Sequence, residues 1–329
     1  MVDADVPEQM KAVVAEGSGE PDVLRVTEVP TPRPKPGQVL IKVIAAGVNR
    51  ADVMQRRGFY PPPPGESEVI GLEVSGSIAQ VTDGVEGWQV GDGCLALLAG
   101  GGYAEYVAVD AGQVVPLPPG VDAVTAAGVL EVAATVQSNA EIAHLSPGDA
   151  YLVHGGAGGI GSFAIQYAKA LGCTVFTTAG SAEKLAYCRD LGADHAIDYH
   201  DDWVAAVRDA GGVDVILDNM GAKYLESNLA ALRPDGRLTV IGLMGGRKAE
   251  LNLGELLAKR GSVAATSLRS RPAEQKAAIC AGVVERIWPM FADGQIKPAP
   301  TEVFPLADVV AAHEYFDSGE HRGKIVLTV

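Results

Sequence analysis

The stretch of this 329-residue chain that most clearly carries chemistry is Gly155-Gly156-Ala157-Gly158-Gly159-Ile160-Gly161. Gly156, Gly158 and Gly161 fit the pattern G-x-G-x-x-G, with the apolar run AYLVH before it and the amphipathic run SFAIQYAKALG after it. In that context the pattern is a phosphate cradle. Its backbone turns sharply, passes close to a pyrophosphate, and delivers it to the N–H groups at the positive end of a helix. Ala157, Gly159 and Ile160 belong to the same cradle. The bland alternative is a glycine-rich loop without a ligand, and the flanking strand and helix argue against it.

The end of the next strand separates two dinucleotides, because NAD is usually met there by an acid that holds the ribose hydroxyls. TVFTT runs into Ala179-Gly180-Ser181-Ala182-Glu183-Lys184, with small neutral residues in the acid's place. That room, together with Gly180, Ser181 and Lys184, suits a 2′-phosphate, and Tyr199 adds a hydroxyl. The expected cofactor is therefore NADPH. The competing reading makes Lys184 a solvated helix lysine and lets Glu183 hold the ribose, which gives NADH.

These side chains need a frame, and the chain supplies two textures for it. Up to about residue 120, short β-type runs (KAVVAE, LRVTEV, QVLIKVIAAGV, EVSGSIAQV, YAEYVAV) are bounded by Gly, Pro or Asp, as a small all-β domain requires. From Val124 to Ala143 the pattern turns helical. Beyond it, apolar strands (AYLVH, TVFTT, HAID, VDVILD, RLTVIG, SVAATSL) alternate with helical runs at 162–171, 183–191, 203–209, 223–232 and 254–260. Such alternation predicts an α/β, doubly wound parallel sheet. A helical segment near 273–292, then TEVFP, DVVAAHEYF and KIVLTV, returns to complete the first domain. The first nine residues carry no signal-peptide pattern and are expected to stay flexible.

Composition narrows the partners. Forty glycines exceed the background of roughly 7%, so backbone must turn tightly or approach a ligand. The net charge of −15 opposes binding to nucleic acid or to an anionic membrane. Cys94, Cys173, Cys188 and Cys280 form neither a CxxC pair nor a cluster with histidine, which fits a reducing cytoplasmic compartment. No apolar run is long enough to span a membrane, and a soluble protein is expected.

The ordered set GVNRADVMQRRGFYPPPPG (47–65), IGLEVSG (70–76), VGDGCLALLAGGGYAEYV (90–107), HGGAGGIG (154–161), TAGSAEKL (178–185), LDNMG (217–221), IGLMGG (241–246), TSLRSR (266–271) and GKIVL (323–327) runs through nearly the whole chain. In these segments it resembles the zinc-independent quinone oxidoreductases of the medium-chain dehydrogenase/reductase superfamily, the zeta-crystallin group. The resemblance implies a GroES-like β-barrel substrate domain over 10–125 plus 295–329 and a Rossmann domain over 126–294, with NADPH in the cleft between them. It also implies a homodimer joined through the edge strand near 261–268. It places Asn49 and Thr135 near the nicotinamide, with Asn219, Gly242, Leu243 and Met244 at the strand ends beside it and Leu268 and Lys324 close by. Ser181, Lys184 and Tyr199 match the family's 2′-phosphate pocket. Tyr60 is the candidate for substrate contact or proton donation, since a tyrosine at the matching position serves as proton donor in related enoyl-thioester reductases.

Zinc-dependent relatives place a cysteine ligand where Asn49 stands and a histidine where Leu72 stands. Neither residue here can supply thiolate or imidazole, so no metal is expected, and Glu73 reads as a buried structural carboxylate. The chain departs from the family at Gln137, where an aromatic is usual, and that puts the substrate preference in question. His144, His195, His200, His313 and His321 read as surface or helix-end residues, His154 as an orienter of the cradle, and Cys94 as a buried thiol. Arg269 and Arg271 read as salt-bridge or surface residues.

The leading expectation is an NADPH-dependent oxidoreductase passing a hydride, or electrons, to a quinone. An enone or enoyl-thioester reductase is the enzymatic alternative. A non-enzymatic nucleotide- or RNA-binding, crystallin-like protein is the remote one.

Overall fold

The computed structural model describes residues 6–329. Of the segment 1–9 expected to be flexible, residues 1–5 lie outside the described residues, and Gln9 opens the first strand. The chain divides into two compact units. One runs up to Ala134 and adds Leu268–Ala292 and Pro300–Val329; the other holds Thr135–Ser267 and Asp293–Ala299.

The first unit is built around the strand Gln38–Val48. It pairs antiparallel with Glu73–Val81, Tyr106–Asp110 and Lys324–Thr328. Register shifts between Leu40 and Ile41 and between Val43 and Ala45 bulge the pairing; such bulges bend a strand and let it serve several partners. The sheet continues through Gly93–Leu97 to Val114–Pro116, and on its other side Thr301–Pro305 joins Lys324–Thr328 in parallel. A separate ribbon pairs Gln9–Ala15 with Leu24–Pro30. The core is made of inward β-branched and leucine side chains, among them Val39, Ile41, Val74, Ile78, Ile325 and Leu327. The C-terminal strand thus pairs with Gln38–Val48 and brings Lys324 beside Asn49.

The second unit carries a six-stranded, all-parallel sheet. Its order is His195–Asp198, Thr174–Ala179, Ala150–His154, Val213–Asp218, Leu232–Val240 and Ser262–Ala265. Every residue of Ala150–His154 is buried, which is why this strand reads as an unbroken apolar run. Among the described residues, no helix is long and apolar enough to cross a membrane.

Three local expectations shift. The helix placed at 162–171 begins at Gly159, because Gly158 takes an extended N-cap conformation (φ −82°, ψ 175°). The run 124–143 forms two helices, Ala123–Ala126 and Leu130–Ile142. Between them lies Gly128, where an added Cβ would stand 3.0 Å from Lys324 Cε. The helix Arg50–Arg56 was not anticipated. It is started by Asp52, whose Oδ2 accepts from Asn49 N at 2.7 Å while its own N–H donates to the Asn49 carbonyl at 3.0 Å.

Candidate functional site

In the parallel unit, the three glycines of the cradle do different work. A Cβ on Gly156 would strike Thr177 Oγ1 and stand 2.8 Å from Cys188 Sγ. A Cβ on Gly161 would strike the Gly155 carbonyl. Both positions are filled by the protein's own packing. A Cβ on Gly158 would meet only the Gly155 carbonyl, at 3.6 Å. So Gly156 and Gly161 bring helix and strand together, while Gly158 leaves backbone open where a pyrophosphate must come close. The helix Gly159–Ala170 starts at that point, and the N–H groups of its first turn have no intrahelical acceptor. The cradle therefore fits a dinucleotide.

His154 closes the strand beneath the cradle. Its Nε2 is 2.8 Å from Asn228 Oδ1 and its Nδ1 3.1 Å from Thr178 Oγ1. Trp203 and Tyr224 meet its ring edge-on, both with centroids at 4.9 Å. Burial pushes the imidazole down to about 4, so it is neutral, donating to Asn228 and accepting from Thr178. Its carbonyl accepts from Asn219 Nδ2 at 3.2 Å. Asn219 Oδ1 is buried with no protein partner, an acceptor that a bound ligand can use. The turn 242–246 lies on the same residues: Met244 N donates to Asn219 O (3.2 Å), and Gly245 N to Met220 O (2.7 Å). Leu243 and Met244 are exposed there.

Gly180 and Tyr199 follow two neighbouring strands, and Ser181 and Lys184 lie at the start of the helix after the first of them. A Cβ on Gly180 would strike the Tyr199 hydroxyl. Ser181 caps the helix Ala182–Asp190 by accepting from Lys184 N at 3.2 Å. Thr135 is buried; its carbonyl accepts from Asn139 Nδ2 at 2.8 Å, and Asn139 Oδ1 from Thr266 Oγ1 at 2.7 Å. Gln137 is also buried and donates to Glu141 at 3.0 Å.

The barrel unit holds Asn49, Tyr60, Leu268 and Lys324. Lys324 Nζ donates to Asn49 Oδ1 (2.6 Å) and Glu73 Oε1 (2.8 Å), and Asn49 Nδ2 also donates to Glu73 Oε1 (3.0 Å). The other Glu73 oxygen accepts from Glu131 N at 2.9 Å. A Cβ on Gly47 would strike Glu73 Oε1, so this glycine makes room for the carboxylate. Glu73 is the buried structural group the sequence implied. Among the described residues, no three His, Cys, Asp or Glu side chains gather as a metal-holding group.

A second layer was missed by sequence reasoning. Asp52 Oδ2 accepts from Asn49 N (2.7 Å) and Tyr103 Oη (3.1 Å), and burial pushes this carboxyl up to about 7. Tyr103 Oη lies 3.3 Å from His313 Nε2, His313 Nδ1 accepts from Arg56 at 3.1 Å, and Arg56 reaches Asp317 at 2.6 Å. His313 is not a surface or helix-end residue: it is fully buried, and burial followed by the Arg56 charge pushes it down to about 3. Arg269 is not a surface residue. It is buried and donates to the Ala99 and Tyr60 carbonyls and to Gln55 Oε1. The one local signal for this layer was the Asn-x-x-Asp spacing of 49–52.

Comparison with known proteins agrees with both halves. Residues 35–119 match the family described as alcohol dehydrogenase GroES-like domain, and residues 159–281 that described as zinc-binding dehydrogenase. The quinone oxidoreductase of Rattus norvegicus is 32% identical over 330 residues, covering 97% of each chain. The 2-haloacrylate reductase of a Burkholderia species is 32% identical over 331 residues, covering 96% of this chain and 98% of that one. The chain belongs to the medium-chain dehydrogenase/reductase superfamily. It has that superfamily's GroES-like domain and Rossmann-type parallel sheet. Among solved superfamily structures, a mycobacterial protein complexed with NADPH superposes with a TM-score of 0.87 at 32% identity, covering 97% of this chain and 100% of that one. A polyketide synthase subunit of Mycobacterium tuberculosis is 32% identical over 323 residues, and the chain spans 14% of its length.

Proposed function

We propose that this chain is an NADPH-dependent, zinc-independent reductase that passes a hydride to a quinone. Within the superfamily we assign it to the zeta-crystallin group, with a likeness to the tumour-suppressor-induced quinone oxidoreductase. What supports the cofactor reading is the segment Gly180–Lys184 with the neighbouring Tyr199, which carries Ser181, Lys184 and Tyr199 where an NAD site usually carries an acid. The solved neighbour that holds NADPH supports it, and the quinone oxidoreductase among the relatives supports the choice of acceptor.

Bound in the cradle, a dihydronicotinamide cofactor supplies the hydride. Gly158 admits its pyrophosphate to the helix N-terminus, with Ala157, Gly159 and Ile160 lining the approach. Ser181, Lys184 and Tyr199 hold the 2′-phosphate. Asn219, with its unpaired acceptor, and Thr135, Gly242, Leu243 and Met244 serve the nicotinamide half from the parallel unit. Asn49 and Tyr60 face the acceptor, and the Tyr60 hydroxyl holds the proton that completes reduction. The zinc-independent reading rests on Asn49 and Leu72 lacking metal-binding donors. Lys324 instead neutralises Glu73.

The 2-haloacrylate reductase and the polyketide synthase segment favour a second reading, in which the same hydride reduces an enone or enoyl thioester. A nucleic-acid-binding role without catalysis is opposed by the −15 charge. We further propose a cytoplasmic homodimer without a membrane partner. The strand Ser262–Ala265 ends its sheet with an exposed edge, and Leu253 and Leu257 are exposed on the adjoining helix. A monomeric mass in light scattering would remove the homodimer. The experiment on function is a panel of quinones, enones and enoyl-CoA thioesters followed by NADPH and NADH oxidation. Quinone turnover with NADPH preferred is expected. A preference for NADH would remove the 2′-phosphate assignment, turnover of thioesters alone would select the second reading, and silence throughout would refute both.

A further inference from the structure

The loop after helix Arg50–Arg56 runs Gly58-Phe59-Tyr60 and then through four consecutive prolines, Pro61 to Pro64. Prolines have no N–H, so this stretch cannot donate the backbone hydrogen bonds that would fix it to a neighbour. The tie on its N-terminal side is made at Phe59 and Tyr60, whose N–H groups both reach Met54 O, at 2.9 and 3.2 Å. Within the proline stretch only acceptors are available, and Glu66 N takes one of them, Pro63 O, at 3.1 Å; the carbonyls on either side of it need donors from outside the loop. Arg269 and Gln55 supply them. Arg269 Nη1 donates to the Tyr60 carbonyl at 3.0 Å, and Gln55 Nε2 donates to the Glu68 carbonyl at 2.9 Å. The two struts are joined, because Arg269 Nη2 donates to Gln55 Oε1 at 2.7 Å, and Arg269 Nε anchors the assembly on the Ala99 carbonyl at 2.7 Å.

Arg269 also holds the ring. Its guanidinium carbon lies over the Tyr60 ring, 5.2 Å from the centroid, within the range of a cation–π contact. One residue therefore fixes both the backbone and the aromatic face of Tyr60, and it is only 5% exposed itself. The planar fork is what permits this: three hydrogen bonds leave in three directions while the face stays free to stack, which a lysine ammonium cannot reproduce.

We propose that Arg269, seconded by Gln55, is the positioning residue of Tyr60, holding the 58–68 loop in the conformation in which Tyr60 meets the hydride acceptor. This rests on the reading that Tyr60 contacts the acceptor. Arg269 itself touches none of the reacting atoms.

The test uses the full chain with NADPH and 1,4-naphthoquinone. Arg269→Ala should lower kcat/KM for the quinone at least 10-fold while leaving the KM for NADPH within 2-fold. Millimolar guanidinium should restore a large part of the loss, whereas methylammonium and the Arg269→Lys substitution should not. Cleavage by chymotrypsin after Phe59 reports the loop independently of chemistry, and it should accelerate at least 10-fold in Arg269→Ala. Gln55→Leu, a milder change should Arg269→Ala fold poorly, should move the same quantities in the same direction by a smaller factor. Unchanged cleavage in both variants would overturn the positioning role. So would a loss of turnover that guanidinium does not relieve. Faster cleavage with unchanged quinone turnover would overturn the link to the reaction; if Tyr60→Ala is then equally silent, the fault lies in the reading of Tyr60 and not in the strut.

Discussion

Replacing Lys324 by Met keeps the apolar stem that packs against Gly128 and removes only the ammonium. The Lys324 and Glu73 side chains are 6% and 1% exposed and 2.8 Å apart, so Glu73 would be left as a buried carboxylate facing no cation. Breaking such a pair by removing one partner costs about 3–5 kcal/mol. Glu73 keeps two hydrogen bonds, from Asn49 Nδ2 and Glu131 N, which places the expected loss at the lower end, ~3 kcal/mol. In a unit of roughly 150–250 residues, 1 kcal/mol moves Tm by about 2–4 °C. Lys324→Met should therefore lower Tm of the barrel unit by about 6–12 °C. Adding Glu73→Gln removes the unpaired charge and should recover about 2 kcal/mol, so the two changes are strongly non-additive. Reversible urea and thermal unfolding of the parent, both single variants and the double variant complete the cycle. A Lys324→Met variant within 1 kcal/mol of the parent, or a double variant no more stable than that single one, would refute the claim that this ammonium neutralises Glu73.

Four further outcomes are expected. Gly158→Ala should fold like the parent, since its Cβ has room, yet bind NADPH at least ~10-fold more weakly by calorimetry, because backbone closeness to the pyrophosphate is lost; equal affinity would move the pyrophosphate elsewhere. Lys184→Ala should raise KM for NADPH several-fold and leave KM for NADH unchanged, and an equal effect on both would remove the 2′-phosphate contact. His154 is held neutral by burial, from 6.5 down to about 4, so the unfolded chain binds the extra proton. Its contribution is full above 6.5 and is lost as pH falls toward 4, by up to ~3 kcal/mol; His154→Gln should make that acid limb of the urea midpoint shallower, with the buried His313 carrying the remainder. Asp52 works with the opposite sign. Raised by burial from 3.8 to about 7, it favours the fold at low pH and loses that contribution as pH rises through 7, a slope of the urea midpoint that Asp52→Asn should abolish.

Much of the parallel unit was legible in sequence, and the reason is physical. Strands buried on both faces must be apolar throughout, so AYLVH and VDVILD announce themselves. A dinucleotide is met chiefly by backbone, and backbone demands of Gly156, Gly158 and Gly161 leave a fixed spacing. The side-chain clusters of the barrel unit obey no such rule. Tyr103 and His313 meet across 210 residues, and Arg56 and His313 across 257; topology brings them together, and neither residue type nor spacing marks the pairing beforehand. The two arginines show the same limit. Arg269 and Arg271 stand two apart in TSLRSR, yet the first is buried under Tyr60 while the second pairs with Gln275 at the surface.

At Asn49 this division reaches the chemistry. The Asn49 side chain joins Lys324 and Glu73, while its backbone N–H is held by Asp52, which Tyr103 and His313 hold in turn. The motif that names Asn49 is local, but its rotamer and its charge environment are set in large part by a strand and a helix more than 200 residues away. Recognition by backbone can therefore be read directly from the chain. On the proposal that Asn49 meets the acceptor, its setting depends on partners that only the fold supplies, so substitutions at Asp52, Tyr103 or His313, none of them at the cradle, should alter turnover while leaving the affinity for NADPH in place.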